Sequence, residues 1–169
     1  MAKNWLVVVN NAGARIFTLA PAAPRFKDRE ALRYSTGESA PSRLVELETL
    51  RHPEGRLKSQ SMDADRPGRS FESVGKKRHA MTREIDPKKQ AAIAFARRVA
   101  ERLENARRQG EVDRLILVAA PESLGLLRDN LTPELRRIIQ EEFSLDLVQL
   151  APHEIRAHLP EPLFRAPAK

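Results

Sequence analysis

Residues 113–120, DRLILVAA, constrain the fold more than any other part of this sequence. From Leu115 to Ala120 the run is continuously apolar, without the alternation of a strand that has one face in water. A strand of this kind has both faces buried, which is typical of a central strand in a parallel sheet. The chain is therefore predicted to be an α/β protein with helices packed on its sheet.

The segments that precede this strand predict an antiparallel meander. Residues 4–10 are apolar and β-branched, Asn11-Ala12-Gly13 supplies a turn, and residues 14–19 alternate, so together they predict a β-hairpin. Residues 43–50 also alternate, but one of their faces carries charge. They are predicted to form a third strand at the edge of the sheet.

Helical signals dominate the second half of the chain. Asp86-Pro87 provides an N-cap followed by proline at the first helical position. From there a helix of roughly 22 residues is predicted to run to Gly110. Its apolar stripe comprises Ala92, Phe95, Ala96, Val99, Leu103 and Ala106. Further short helices are predicted at 121–130, 132–139 and 152–159, with a fifth strand at 144–150.

This order of elements predicts a single domain over residues 1–160 on a mixed five-stranded sheet. An antiparallel three-strand meander comes first, and parallel strands joined by right-handed helical crossovers follow. The pattern is that of ribonuclease-H-like and release-factor middle-domain architectures. A long basic loop at 51–86 interrupts the domain, and residues 161–169 are predicted to form a disordered tail.

The charge of the chain is concentrated in one segment. The 169 residues carry a net charge of +7, and the sequence pI is about 10.2. Residues 51–89, called the basic segment below, hold 11 Lys and Arg against 6 Asp and Glu, which is +5 of that total. Such a balance favours polyanionic partners: nucleic acid, the ribosome or anionic lipid.

The centre of the basic segment contains the candidate binding residues. Two arginines flank a Pro-Gly turn, an aromatic residue follows, and a second cationic cluster comes after Gly75. Guanidinium groups bind phosphates in bidentate fashion, and a loop aromatic can stack on a base. The predicted RNA-contact residues are Arg66, Arg69, Phe71, Lys76, Lys77, Arg78 and His79.

The sequence lacks the residues that several other kinds of functional site require. Cysteine is absent, which excludes disulfides and thiolate zinc sites. The first strand has no acidic residue of the kind that a two-metal nuclease needs. His153 and His158 lie five residues apart, so they do not share a helix face. Neither a metal nor another cofactor is therefore predicted. The apolar run Trp5–Val9 is too short to span a membrane or form a signal core, which predicts a cytoplasmic protein.

Residues along most of the chain carry a family resemblance. The sequence resembles the bacterial host attachment protein family, described as required for attachment to host cells. That family is itself related to bacterial homologues of the archaeo-eukaryotic peptide-chain release factor. The resemblance rests on Ala12, Ala14 and Arg15, on Asp65 to Arg69, Ser73, Gly75 and Arg78 to Ala80, and on Phe95, Ala96, Leu115 to Pro121, Leu124 and Leu127.

The resemblance implies a release-factor-like fold whose exposed loop approaches the catalytic centre of the ribosome. The chain departs from the related families at two points. It has no Gly-Gly-Gln, the motif of true release factors, and it has Asn10 where members of the attachment family often have Asp.

Three functions are consistent with these patterns. The first is a non-enzymatic, cytoplasmic protein that binds RNA or the ribosome through the basic segment. The second is an attachment or adhesion factor that acts through a protein partner. The third is a hydrolase on RNA or on an aminoacyl or peptidyl ester, with His79 as its general acid or base.

Overall fold

The computed structural model describes residues 3–21, 42–53 and 86–164. Its strands are β1 (Asn4–Asn10), β2 (Gly13–Pro21), β3 (Ser42–Arg51), β4 (Arg114–Ala119) and β5 (Ile139–Ser144). Its helices are α1 (Pro87–Arg108), α2 (Pro121–Asn130), α3 (Pro133–Ile138) and α4 (Pro152–Ala157), and a 3-10 helix covers Glu161–Phe164.

The strands form one sheet in the order β3-β2-β1-β4-β5. β2 is antiparallel to β1 and to β3, whereas β4 is parallel to β1 and to β5. The predicted mixed five-stranded sheet with its antiparallel meander is therefore confirmed. The position of β3 at the edge is confirmed as well.

β1 and β4 lie at the centre of the sheet and are buried on both faces. Val7 and Leu117 face one core, which α1 covers with Phe95, Val99 and Leu103. Alternate residues of the same strands, Leu6, Val8, Ile116 and Val118, face a second core that Leu147, Val148, Ile155, Leu159 and Phe164 cover. Two-sided burial explains why both strands are apolar without alternation.

Both ends of α1 lie where the sequence predicted them. The Asp86 side chain accepts a hydrogen bond of 3.1 Å from the backbone N–H of Lys88. At the other end Gly110 has a φ of 65°. Gly110 N–H donates to the Arg107 carbonyl (3.0 Å) and Glu111 N–H to the Ala106 carbonyl (2.8 Å), which is a Schellman motif.

The fifth strand was predicted at the wrong place. β5 is Ile139–Ser144, whereas residues 145–150 form no strand. As an edge strand β5 has only β4 as a neighbour in the described sheet, so it accommodates polar residues that look like a continuing helix in the sequence. Leu147 and Val148 do enter the core, but the Val148 and Leu150 carbonyls accept hydrogen bonds from Arg15 instead of from a strand.

The end of the described chain is also more ordered than the sequence predicted. Glu161–Phe164, assigned above to the tail, form the 3-10 helix, and Phe164 is buried. The Arg156 guanidinium carbon lies 5.1 Å from the centre of the Phe164 ring. No helix in the part of the chain that the structure describes is both long and apolar enough to cross a bilayer.

Glu104 joins α1 to the loop before α3. Its carboxylate accepts hydrogen bonds from Arg107 (2.7 Å), Arg108 (3.0 Å) and the Thr132 hydroxyl (3.0 Å), although Glu104 is not part of the apolar stripe of the helix. Chiefly through the Arg107 hydrogen bond, these donors lower the pKa of Glu104 to about 2. Because this pKa lies below its ordinary value of 4.5, Glu104 stabilises the fold above about pH 4.5, and this contribution is lost as the pH falls through about 2.

Glu104→Gln is expected to lower the free energy of unfolding by about 1 kcal/mol at pH 7, since a neutral amide replaces a charge-assisted acceptor. Urea denaturation at several pH values measures the effect. The difference from the wild type should shrink between pH 4.5 and pH 2. Glu101→Gln, on the exposed face of the same helix, should change little. A loss for Glu104→Gln that does not depend on pH would contradict this role.

Candidate functional site

The predicted RNA-contact residues Arg66, Arg69, Phe71, Lys76, Lys77, Arg78 and His79 lie outside the described residues. The contacts assigned to them, including the hydrolytic role of His79, stay predictions. The structure does place both ends of the basic segment. One end is Arg51–Pro53, from the last residue of β3 onward, and the other is Asp86–Lys89, at the start of α1.

Both ends border one cavity at the carboxyl ends of β1 and β4. The cavity has a volume of about 300 Å³, and its lining includes His52 from the first end and Asp86, Lys88 and Lys89 from the second. Asn11, Ala92 and Glu122 complete the lining. The two described ends of the basic segment therefore meet at this cavity. The carboxyl edge of parallel strands is where open α/β sheets usually bind ligands.

His52 anchors the first end of the basic segment. Its side chain is buried, and its ring stacks on Phe95 of α1 with the ring centres 4.6 Å apart and the planes 4° from parallel. Its backbone N–H donates to the Ala12 carbonyl (3.1 Å), and Nδ1 lies 2.7 Å from the Asn11 carbonyl oxygen. Because a carbonyl oxygen can only accept, Nδ1 carries a proton. His52 is not among the site residues predicted from the sequence, although His52-Pro53 marks the junction of β3 with the segment.

Asn10 organises the turn that receives His52. Its Oδ1 accepts hydrogen bonds from the backbone N–H groups of Ala12 (2.8 Å) and Gly13 (3.2 Å). Its Nδ2 donates to Asp146 Oδ1 over 2.9 Å. An aspartate here could keep the two turn bonds but would have no proton for Asp146. The amide at this position thus fits the partner that the chain provides.

Asn11 and Ser123 attach α2 to the same turn. The Ser123 hydroxyl donates to Asn11 Oδ1 (3.0 Å), and Asn11 Nδ2 donates to Glu122 Oε2 (3.4 Å). The backbone N–H of Ala120 donates to the Val9 carbonyl (3.0 Å), which extends the pairing of β1 with the chain beyond β4. The floor of the cavity is therefore fixed by bonds between three separate elements.

Arg15 holds the opposite side of the turn and is committed to structure. Its guanidinium donates to the Val148 (2.9 Å) and Leu150 (2.6 Å) carbonyls and pairs with Glu46 of β3 at 2.7 Å. The Arg15 hydrogen bond is the main cause that lowers the pKa of Glu46 below its usual value. Arg15 belongs to the residues that carry the family resemblance, and its contacts give it a structural role.

The cations of α1 fall into two groups. Lys88, Lys89 and Arg97 are exposed and form no ion pair with a described residue. Further along the helix, Arg102 pairs with Glu48 (2.7 Å) and Arg107 with Glu104 (2.7 Å). Two lysines without an ion pair among the described residues therefore lie at the cavity, where Asp86 and Glu122 also belong to the lining. Within residues 3–21, 42–53 and 86–164, no group of three or more His, Cys, Asp or Glu side chains is placed to hold a metal ion.

Comparison with known proteins identifies the family. The sequence matches the family described as "Protein required for attachment to host cells" over residues 5–159. The chain belongs to this host-attachment family. A curated relative is the uncharacterized protein RP470 of Rickettsia prowazekii (strain Madrid E), which is 32% identical over 124 residues, or 71% of this chain and 75% of the relative. The family match runs from β1 into the turn after α4, so it includes the cavity and the basic segment.

Asn10→Asp is expected to destabilise the protein at pH 7 by about 1 kcal/mol, because it places a second carboxylate against Asp146 and removes the donor. Thermal denaturation at pH 7 measures this.

The double variant Asn10→Asp with Asp146→Asn is the control. It restores one donor and removes the repulsion, so its stability at pH 7 should approach that of the wild type. If Asn10→Asp alone were as stable as the wild type at pH 7, the assignment of Asn10 as the donor to Asp146 would be wrong.

Proposed function

We propose that this member of the host-attachment family acts inside the cell as a non-enzymatic protein that binds RNA, free or in the ribosome, through the basic segment. One observation carries the proposal. The segment that holds +5 of the net charge of +7 begins and ends at a single cavity. The two described ends of the charged segment thus lie at one edge of the sheet.

Two exposed lysines at the cavity support this location. Lys88 and Lys89 form no ion pair with a described residue, although Asp86 and Glu122 line the same cavity. Lysines in this state release counterions when they meet phosphates, which is the main source of affinity for nucleic acid.

The sequence patterns favour RNA over other polyanions as the partner. The resemblance to release-factor relatives implies a loop that approaches ribosomal RNA, and Arg69 with Phe71 supplies a guanidinium and an aromatic ring suited to a single strand. The absence of Gly-Gly-Gln from the sequence removes the chemistry of true release factors and favours binding alone.

Lys88→Glu with Lys89→Glu is expected to weaken binding to single-stranded RNA by about tenfold or more. Each contacted phosphate contributes about −0.7 to the slope of log affinity against log salt on single strands, so the slope should fall in magnitude by about 1.4. Fluorescence anisotropy over a salt series measures both quantities, and cosedimentation with ribosomes repeats the comparison.

Arg43→Glu with Arg137→Glu is the matched control, since it makes the same change in net charge. Both residues are exposed and lie at the opposite end of the sheet, where β3 begins and β5 starts beside Leu115. Arg43 is about 26 Å along β3 from the cavity end. If both double variants lose the same affinity for RNA, the effect reflects net charge alone and not the position of the lysines. No RNA binding at low salt, with tight binding to phosphatidylserine vesicles instead, would contradict the proposal.

The family description concerns attachment to host cells, and we propose that this chain supports attachment indirectly, through its RNA partner. Deletion of the gene in an attaching bacterium should reduce adherence. The wild-type gene should restore it, and Lys88→Glu with Lys89→Glu should not, at equal protein level. Protein found outside intact cells, or full rescue by the variant, would contradict the indirect route.

A further inference from the structure

We infer that Arg98 of α1 is a further RNA-contact residue, which extends the binding surface beyond the basic segment by presenting a prepositioned guanidinium to a phosphate. The inference rests on the proposed function. It concerns a residue outside the charged stretch of residues 51–89, on a helix face whose pattern is otherwise typical of simple solvation.

Arg98 is exposed, yet two contacts hold its side chain. Its Nη2 donates to the Arg51 carbonyl over 2.7 Å. Its guanidinium carbon lies 5.3 Å from the centre of the Phe95 ring. Phe95 is itself buried and stacked on His52. Arg98 therefore rests on a rigid support that also fixes the first residues of the basic segment.

The two described partners of Arg98 are neutral, so no carboxylate in the described part of the chain compensates its charge. Arg102, one turn further along α1, shows the contrast. Its guanidinium carbon lies 5.4 Å from the Trp5 ring, a similar aromatic support, but it also pairs with Glu48 (2.7 Å) and Glu111 (3.4 Å). Arg98 forms no ion pair with a carboxylate in the described residues. It combines a fixed geometry with a full positive charge.

This combination suits phosphate binding. A flexible surface cation loses rotamer freedom when it binds, whereas the Arg98 side chain is already ordered in the free protein. A guanidinium carries five N–H donors in a planar fork, and the Arg51 carbonyl uses one of them. The remaining geometry matches the bidentate recognition of phosphate.

Arg98 also has a defined position relative to the two ends of the basic segment. It lies nine residues beyond Lys89, about 14 Å along the helix axis. Through the Arg51 carbonyl it is joined to the other end of the basic segment. Nine residues are about two and a half turns, so Arg98 lies on the opposite side of α1 from Lys89, beside the β3 end of the basic segment.

The test compares Arg98→Gln, Arg98→Lys and Arg97→Gln in the full chain, with oligouridylate as the probe. We expect Arg98→Gln to weaken binding by about tenfold and to lower the magnitude of the salt slope by about 0.7, the value for one phosphate. Arg98→Lys keeps the charge but not the fork, so it should lose about threefold. Arg97→Gln removes an equal charge from an adjacent, unsupported side chain and should lose about twofold at most.

The outcomes separate this inference from the proposed function. If the wild type does not bind oligouridylate, both fail. If the wild type binds and Arg98→Gln matches Arg97→Gln, the inference is overturned and the proposed function stands. A loss of affinity with an unchanged salt slope would make Arg98 purely structural and overturn the inference too. Urea denaturation checks folding, and if Arg98→Gln does not fold, Arg98→Lys decides, with wild-type affinity overturning the inference.

Discussion

The parallel pairing of β1 with β4 is the constraint on which the rest of the structure depends. In register from Asn4–Arg114 to Val9–Ala119, the two strands place alternate side chains into two separate cores. Burial on both faces requires apolar residues throughout, and it requires helices or loops on each side of the sheet. The same pairing sets the carboxyl ends of both strands at one level, where the cavity lies.

The turn after β1, α2 and the start of α1 all meet at these carboxyl ends, around the cavity. The turn after β1 receives His52 through the Asn11 and Ala12 carbonyls, and α2 follows β4 and is tied to the turn by Ser123. α1 enters from the same side, because Asp86 begins it at the cavity. Both described ends of the basic segment are therefore fixed to one edge of the sheet.

Features set by local chemistry could be predicted from the sequence, whereas those set by tertiary partners could not. The N-cap at Asp86, the end of α1 at Gly110 and the central strand at 114–119 follow from capping, glycine conformation and two-sided burial. β5 was missed because an edge strand carries polar residues, and Leu147 with Val148 resembles a strand while packing as a loop. His52 gave no pattern of its own, since its role depends on Phe95, which lies far away along the chain.

Photo-crosslinking of bound RNA followed by peptide mass spectrometry tests the central claim most directly, because it locates the RNA on the folded chain without any substitution. The account predicts crosslinks to peptides within residues 51–98, and none to the opposite end of the sheet around Arg43 and Arg137. Crosslinks concentrated at that opposite end, or spread evenly over the surface, would contradict it.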